Sequence, residues 1–353
     1  MGSACAWSLQ RRGHRVTLLD PAADPAVGRL PALGVLMGRV FHRSTGRAWR
    51  LRQQSLALWR EWRRELMLRG GALQFRPGLL LLAEDEAALE RLAALAARRE
   101  QGRDGLEIWD SGRLARQRPA LPTGAIGALH SPGDGWLEPS AARRSLLDDA
   151  CSRGLVTARG TACLLSRRDR TWRNELAEGG VLEAEWAVLC AGEGSSALLA
   201  GLGIDRPLEP VLGQALALQI RPSPSVWSWP GAVVWRGINL VPRPDLPGGG
   251  RLWLGATLEP GRQADPLALD RLRTLEGAAP AWLRGAVEAE RWRGIRPRPV
   301  GRPAPLLERV AEGLLLADGH YRNGVLLTPA SAAWVVEQVE GGAEKGLRST
   351  TSP

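Results

Sequence analysis

The chain has 353 residues, 44% hydrophobic and 24% charged, the balance of an ordinary globular protein, and its length predicts two structural domains. Its longest aliphatic run, Leu79 to Ala83, falls far short of the ~20 residues that cross a bilayer, and the N-terminus lacks the order of a signal peptide, so no membrane partner and a cytoplasmic location are expected. The net charge of +10 is carried almost wholly by arginines, scattered as at Arg60, Arg63, Arg98, Arg99, Arg167 and Arg168; without a helix-turn-helix, zinc-finger or RNP pattern, they predict no nucleic-acid partner.

Residues 2–13 read as a helix of small residues ended by Gly13. A short strand follows at 14–20 and ends in Asp20, and Gly and Pro then punctuate the chain to Gly38. A long helix is expected over Gly46 to Leu68, with Leu51, Leu58, Trp62 and Leu66 near one face. Next come a strand at Gly78 to Ala83, an amphipathic helix at Asp85 to Glu100 and a helix at Ser140 to Arg153. One strand is expected within Val181 to Ala191, running into Gly192. A β-rich block follows, with strands at 214–220, 232–235, 239–241 and 252–256. Helical signals return over 266–290, and a last strand at Gly313 to Ala317 meets a glycine-rich loop and a closing helix near Ser331 to Val339. The four cysteines, Cys5, Cys151, Cys163 and Cys190, form no C-x-x-C pair and have apolar neighbours, which predicts buried free thiols. The four histidines are far apart in sequence, and no metal site is expected.

Three segments carry chemistry. In a dinucleotide-binding unit a strand leads through G-x-G-x-x-G into a helix whose N-terminus faces the pyrophosphate, and an acid roughly 20 residues on takes the ribose hydroxyls. Here Gly2 opens the helix and Asp20 ends the next strand, so Gly2 reads as the third glycine, with the first strand and two earlier glycines expected upstream of the given sequence. The second segment, Trp186 to Gly192, is a strand ending in Ala191-Gly192, where backbone can approach a cofactor closely. The third, Leu316-Ala317-Asp318-Gly319-His320-Tyr321-Arg322-Asn323-Gly324, is a glycine-bracketed loop entering a helix.

That loop resembles the C-terminal flavin loop of the D-amino acid oxidase family, and its Gly-His-aromatic-Arg-Asn-Gly order is most similar to glycine oxidases of thiamine biosynthesis. The segments 11–20, 213–214, 241–243, 254–259 and 294–297 follow the family in order, to about Val339. The resemblance implies an α/β fold: an FAD-binding Rossmann-like domain, its N-terminal strand missing, with an inserted β-rich substrate domain. It places the FAD domain at 1–75, 135–208 and 296–342, the substrate domain at 76–134 and 209–295, and a disordered tail at 343–353. It puts Gly2 and Ser3 at the pyrophosphate and Asp20 at the ribose. Ala32, Gly34 and Val35 fall beside the flavin, Cys163 near the adenine, and Ala191 and Gly192 along the cofactor. His320, Tyr321, Asn323, Gly324, Val325 and Leu326 wrap the ring.

Arg296 and Arg322 match the family's carboxylate-side arginines, and a guanidinium suits that task because it makes two parallel hydrogen bonds. The implied reaction is hydride transfer from Cα of a small amino acid or amine to FAD. Imine hydrolysis then gives an oxo acid and ammonia, with dioxygen reduced to hydrogen peroxide. A homo-oligomer is implied as well. Asn239 stands where glycine oxidases tend to carry a substrate-holding tyrosine. Two other readings remain: a dehydrogenase that uses another acceptor, and a non-catalytic member of the fold.

Overall fold

The computed structural model describes residues 1–22, 32–71, 73–100, 105–221, 223–246 and 250–349, so part of the punctuated stretch after Pro21 lies outside the described residues. The first half of the chain forms α1 (Gly2–Gln10), β1 (Thr17–Asp20), β2 (Val35–Leu36), α2 (Gly46–Leu68), β3 (Phe75–Ala83), α3 (Glu86–Glu100), β4 (Glu107–Asp110), α4 (Ser111–Ala115), β5 (Gly127–Leu137), α5 (Pro139–Ser152), β6 (Val156–Arg159), β7 (Ala162–Arg168) and β8 (Thr171–Leu176). The second half forms β9 (Val181–Ala184), β10 (Ala187–Leu189), α6 (Glu193–Ala200), β11 (Leu208–Gln219), β12 (Ala232–Trp235), β13 (Ile238–Arg243), β14 (Arg251–Gly255), β15 (Glu259–Pro260), α7 (Ala268–Thr274), α8 (Ala281–Arg284), β16 (Val287–Pro299), β17 (Leu306–Ala311), β18 (Leu314–Asp318) and α9 (Gly324–Ser349).

Helices α1, α2, α5 and α9 pack together, whereas α3, α4, α7 and α8 lie against the large sheet. Small side chains on α1 let it pack closely against α5 and α9, with Ala4, Cys5, Ala6 and Trp7 all buried. The Trp7 indole N–H donates to Asp149 at 2.7 Å, and its ring meets Trp62 edge-on with centroids 4.8 Å apart. The buried stripe of α2 is Arg52, Ser55, Leu56, Trp59, Trp62 and Leu66. Leu51 and Leu58, expected on that face, are only half-buried on its flank, because the stripe centres on the two tryptophans.

A curled mixed sheet forms the other layer, in the order β15-β11-β14-β13-β12-β3-β5-β2, with β16 also on β11 and β4 on β5. Successive strand residues alternate between two cores: Leu79, Ala232 and Val241 enter one, and Leu80, Val233 and Leu240 the other. Both faces are therefore covered, which explains the near-continuous apolar runs in this block.

Two smaller sheets each hold a parallel pair. Among the described residues β1 pairs only with β6, from Thr17 opposite Val156 to Asp20 opposite Arg159. Among them β10 pairs only with β18, in parallel, and β18 then meets β17 antiparallel. The free edges of β1 and β10 line one cavity, with Gly2 between them: a Cβ on Gly2 would lie 3.5 Å from the Leu18 side chain and 3.7 Å from Cys190.

The structure departs from the sequence reading in several places. Residues 181–191 are not one strand: β9 ends an antiparallel meander with β7 and β8, whereas β10 belongs to the β18 sheet. The helical signals over 266–290 give way at Val287 to the long strand β16, whose burial alternates along its length. Its charged Glu288, Glu290, Arg291 and Arg293 imitate a helix surface in the sequence, but in the strand the two arginines are exposed and the two glutamates half-buried on the other face. The closing helix starts earlier and runs longer than expected, over Gly324–Ser349; residues 350–353 lie outside the described residues. Cys5 is buried and Cys190 partly so, but Cys151 and Cys163 are exposed; Leu147 and Ala150 fill the inward face of α5, and Leu165 is the buried position of β7.

Candidate active site

A cavity of about 1910 Å³ runs from the β1 edge, past α1, to the far end of β16. Sites for single small molecules usually measure about 300–1,000 Å³, so this space suits an extended cofactor together with a substrate. Of the residues singled out in the sequence, Gly2, Ser3, Asp20, Ala32, Gly34, Val35, Ala191, Gly192, Arg296, His320, Tyr321, Arg322, Asn323, Gly324, Val325 and Leu326 all line it. Cys163 does not: it sits on β7 with an exposed side chain whose Sγ lies 3.4 Å from the Glu175 carbonyl, while its neighbours Thr161 and Ala162 reach the cavity.

One end is built from backbone. No side chain caps the N-terminus of α1, so its leading amides are directed at the cavity, an arrangement that favours an anion. Asp20 lies at the C-terminal end of β1, and its Oδ1 accepts from the Ala22 amide at 2.9 Å. Gly34 has φ +77°, and a Cβ there would fall 1.8 Å from the Leu137 carbonyl oxygen. Only glycine lets these two backbones meet, and the Leu137 amide then donates to the Gly34 carbonyl at 3.0 Å.

The segment after Gly34 is held by a residue that sequence reading passed over. Asp134 is fully buried and accepts from the amides of Gly38, Arg39 and Val40 and from the Ser131 hydroxyl, at 2.7 to 3.1 Å. It thereby fixes Met37, Val40 and Phe41 against the cavity. A lone aspartate in an apolar strand is its sequence signal.

A second such carboxylate joins β10 to β18. Asp318 accepts from Gly192 N at 2.6 Å, Ser195 Oγ at 2.7 Å and Gly319 N at 2.8 Å, which locks the turn into α6 onto the loop that follows β18. That loop continues into His320, whose Nε2 meets Ser331 Oγ at 2.9 Å and whose pKa is pushed down to about 3 by burial. His320 is therefore a neutral side chain at any ordinary pH. Trp59 on α2 donates to the Val325 carbonyl at 3.0 Å and fixes the start of α9 beneath the loop.

The other end is built from side chains. Arg296 extends from β16 across Gly213 of β11, where a Cβ would lie 2.0 Å from its Nη1, and that nitrogen donates to the Thr257 carbonyl at 3.1 Å. Burial, and then the nearby Arg322 guanidinium, push the Arg296 pKa down. Among the described residues neither arginine has a carboxylate in ion-pair contact. Asn239 faces the same space from β13 and donates to the Gly255 carbonyl at 3.0 Å.

An uncapped helix N-terminus, an acid at the end of the first strand and a glycine contact too close for any side chain suit a pyrophosphate, a ribose and a flat ring system in turn. Two unpaired guanidinia at the far end suit the carboxylate of a substrate. This combination defines a flavin-dependent oxidoreductase.

Comparison with known proteins gives the family. Residues 1–338 match the family described as FAD dependent oxidoreductase (DAO), and the chain belongs to that family and uses FAD. It is 29% identical over 279 residues to a glycine oxidase of Bacillus licheniformis, covering 76% of this chain and 70% of that protein. It is 27% identical over 347 residues to a glycine oxidase of Geobacillus kaustophilus, covering 96% and 90%. The crystal structure of glycine oxidase from Geobacillus kaustophilus superposes with a TM-score of 0.84 at 25% identity, over 96% of this chain and 91% of that one.

Proposed function

We propose that this protein oxidatively deaminates glycine or a similarly small amino acid or amine, releasing an oxo acid and ammonia and passing electrons to dioxygen to give hydrogen peroxide. The observation that carries this reading is the pair Arg296 and Arg322, two guanidinia without a counter-ion at one end of the cofactor cavity. FAD, when bound, supplies the two-electron acceptor for the Cα–H and amine.

The chain's own residues bind and orient. Arg296 fixes the substrate carboxylate with a planar pair of donors, so that Cα is presented in one orientation. Neutral His320 and the Asp134-held segment close the walls without placing a free charge near the reacting carbon. The two-domain division stated above, a cytoplasmic location, a homo-oligomer and a role in thiazole assembly for thiamine belong to the same proposal. The glycine oxidases and a bifunctional ThiO/ThiG protein among the relatives support it.

The test is an anaerobic titration of the FAD-loaded protein with glycine, sarcosine and D-alanine, followed by readmission of air. The expected result is bleaching of the visible flavin band and one peroxide per turnover. Bleaching without peroxide would transfer the protein to the dehydrogenases. A flavin band unmoved by all three amines overturns the amino-acid reading.

A further inference from the structure

Behind Arg296 lies a carboxylate that the reaction as proposed does not use. Glu259 is 8% exposed and carries a charge-assisted network made only of neutral donors. Gln214 Nε2 donates to its two oxygens at 3.0 and 3.2 Å, the Thr257 hydroxyl donates to Oε1, and the Asp265 amide donates to Oε2 at 2.5 Å. The other charges on this side are paired off: Asp265 with Arg271, Arg298 with Glu209, and Arg262 with Glu193. Among the described residues Glu259 has no ion-pair partner in contact. It is linked to two cations: to Arg296 through Thr257, whose hydroxyl holds Glu259 and whose carbonyl holds Arg296, and to the exposed Arg271 through Asp265.

A buried carboxylate without a paired cation is costly unless a positive field compensates it. Here that field comes from Arg296, which feels both Glu259 and the neighbouring Arg322 guanidinium. The local balance is then two positive charges against one negative, which leaves a single positive charge facing the cavity. A substrate with one carboxylate neutralises it; a substrate with two leaves an unpaired negative charge in a site where Arg296 is half-buried and only partly screened.

We propose that Glu259 is a specificity-determining residue of the substrate site, cancelling one of the two guanidinium charges so that the site accepts amines bearing one carboxylate and rejects those bearing two. The proposal rests on the amino-acid reading above. Glu259 acts through Thr257 and through its charge, without touching the substrate.

The experiment measures calorimetric binding of acetate and of malonate to the FAD-loaded protein, in which neither ligand reacts. The wild-type protein is expected to bind acetate more tightly. In Glu259→Gln, which keeps the hydrogen-bonding shape and removes the charge, the malonate-to-acetate affinity ratio is expected to rise roughly tenfold, the effect of one unit charge several ångströms away in a partly screened site. Glu259→Asp is expected to keep the wild-type ratio.

Arg322→Gln is expected to lower the ratio, and combining it with Glu259→Gln to return it towards wild type, because the double variant regains the original charge balance. This double variant also serves if Glu259→Gln alone does not fold. A ratio that stays within twofold across the series, with both anions still binding, overturns the charge role and leaves the amino-acid reading intact. If neither anion binds the wild-type protein, the carboxylate site itself is refuted, and both readings fall together.

Discussion

The two ends of the cavity are made from different materials. The cofactor end is mostly backbone: the α1 N-terminus, Gly34 against Leu137, and Gly192 tied to Asp318. The substrate end is mostly side chain: Arg296 lying over Gly213, Arg322, Asn239 and the Glu259 network. Backbone recognition fixes where a group sits by geometry that almost no substitution preserves. Side-chain recognition fixes which group is chosen, and it can be retuned one residue at a time. A common cofactor and a variable substrate follow from that division of labour.

Gly34→Ala gives the severest test of the backbone end. A Cβ there meets the Leu137 oxygen at 1.8 Å and φ is +77°, so overpacking and backbone strain together are expected to cost about 4 kcal/mol in chemical denaturation, with loss of flavin from the purified protein. If the variant retains flavin and stability, the claim that backbone builds this end is wrong. At the side-chain end, Arg296→Ala is expected to lower kcat/KM by about 3 kcal/mol, more than a hundredfold, while flavin content stays normal. Loss of flavin in that variant would blur the division between the two ends.

A smaller effect comes from pH. His320 has its pKa depressed from 6.5 to about 3. Below about pH 6.5 the unfolded chain therefore binds a proton that the folded chain refuses. Stability from this source is complete above pH 6.5 and is lost as pH falls, by about 2 kcal/mol at pH 5. Urea unfolding of His320→Asn at both pH values is expected to show that slope reduced; an unchanged slope would mean that His320 takes up its proton in the folded state. Glu340→Gln removes a half-buried partner that Arg12 shares with His14 beside the cofactor end, and is expected to change neither flavin content nor unfolding midpoint.

The cofactor end was the more legible in the sequence for a physical reason. Glycines that permit close approach, and an acid at the end of a strand, are local requirements, so Gly2, Asp20 and Gly192 could be read from their own neighbourhoods, whereas Gly34 came from the resemblance. The two arginines came from the resemblance alone, and the strand that carries Arg296 was hidden under helix-like charge spacing until pairing with β11 revealed it. Gly213 was visible only as part of a motif, since its role depends on a guanidinium 83 positions later in the chain lying across it. Asp134, Asp318 and Glu259 each act through partners brought together by tertiary folding, and near Cys163 it is Thr161 and Ala162 that line the cavity.

The separation of the β1–β6 pair from the β10–β18–β17 sheet has a consequence in mass action. Among the described residues no ladder hydrogen bond joins the two, and the same cavity borders both. A molecule that fills the cavity touches each half and binds the folded chain alone, adding about 2.7 kcal/mol of stability at a free concentration one hundred times its dissociation constant. How firmly this protein stays folded then depends on the surrounding supply of flavin as well as on its own contacts.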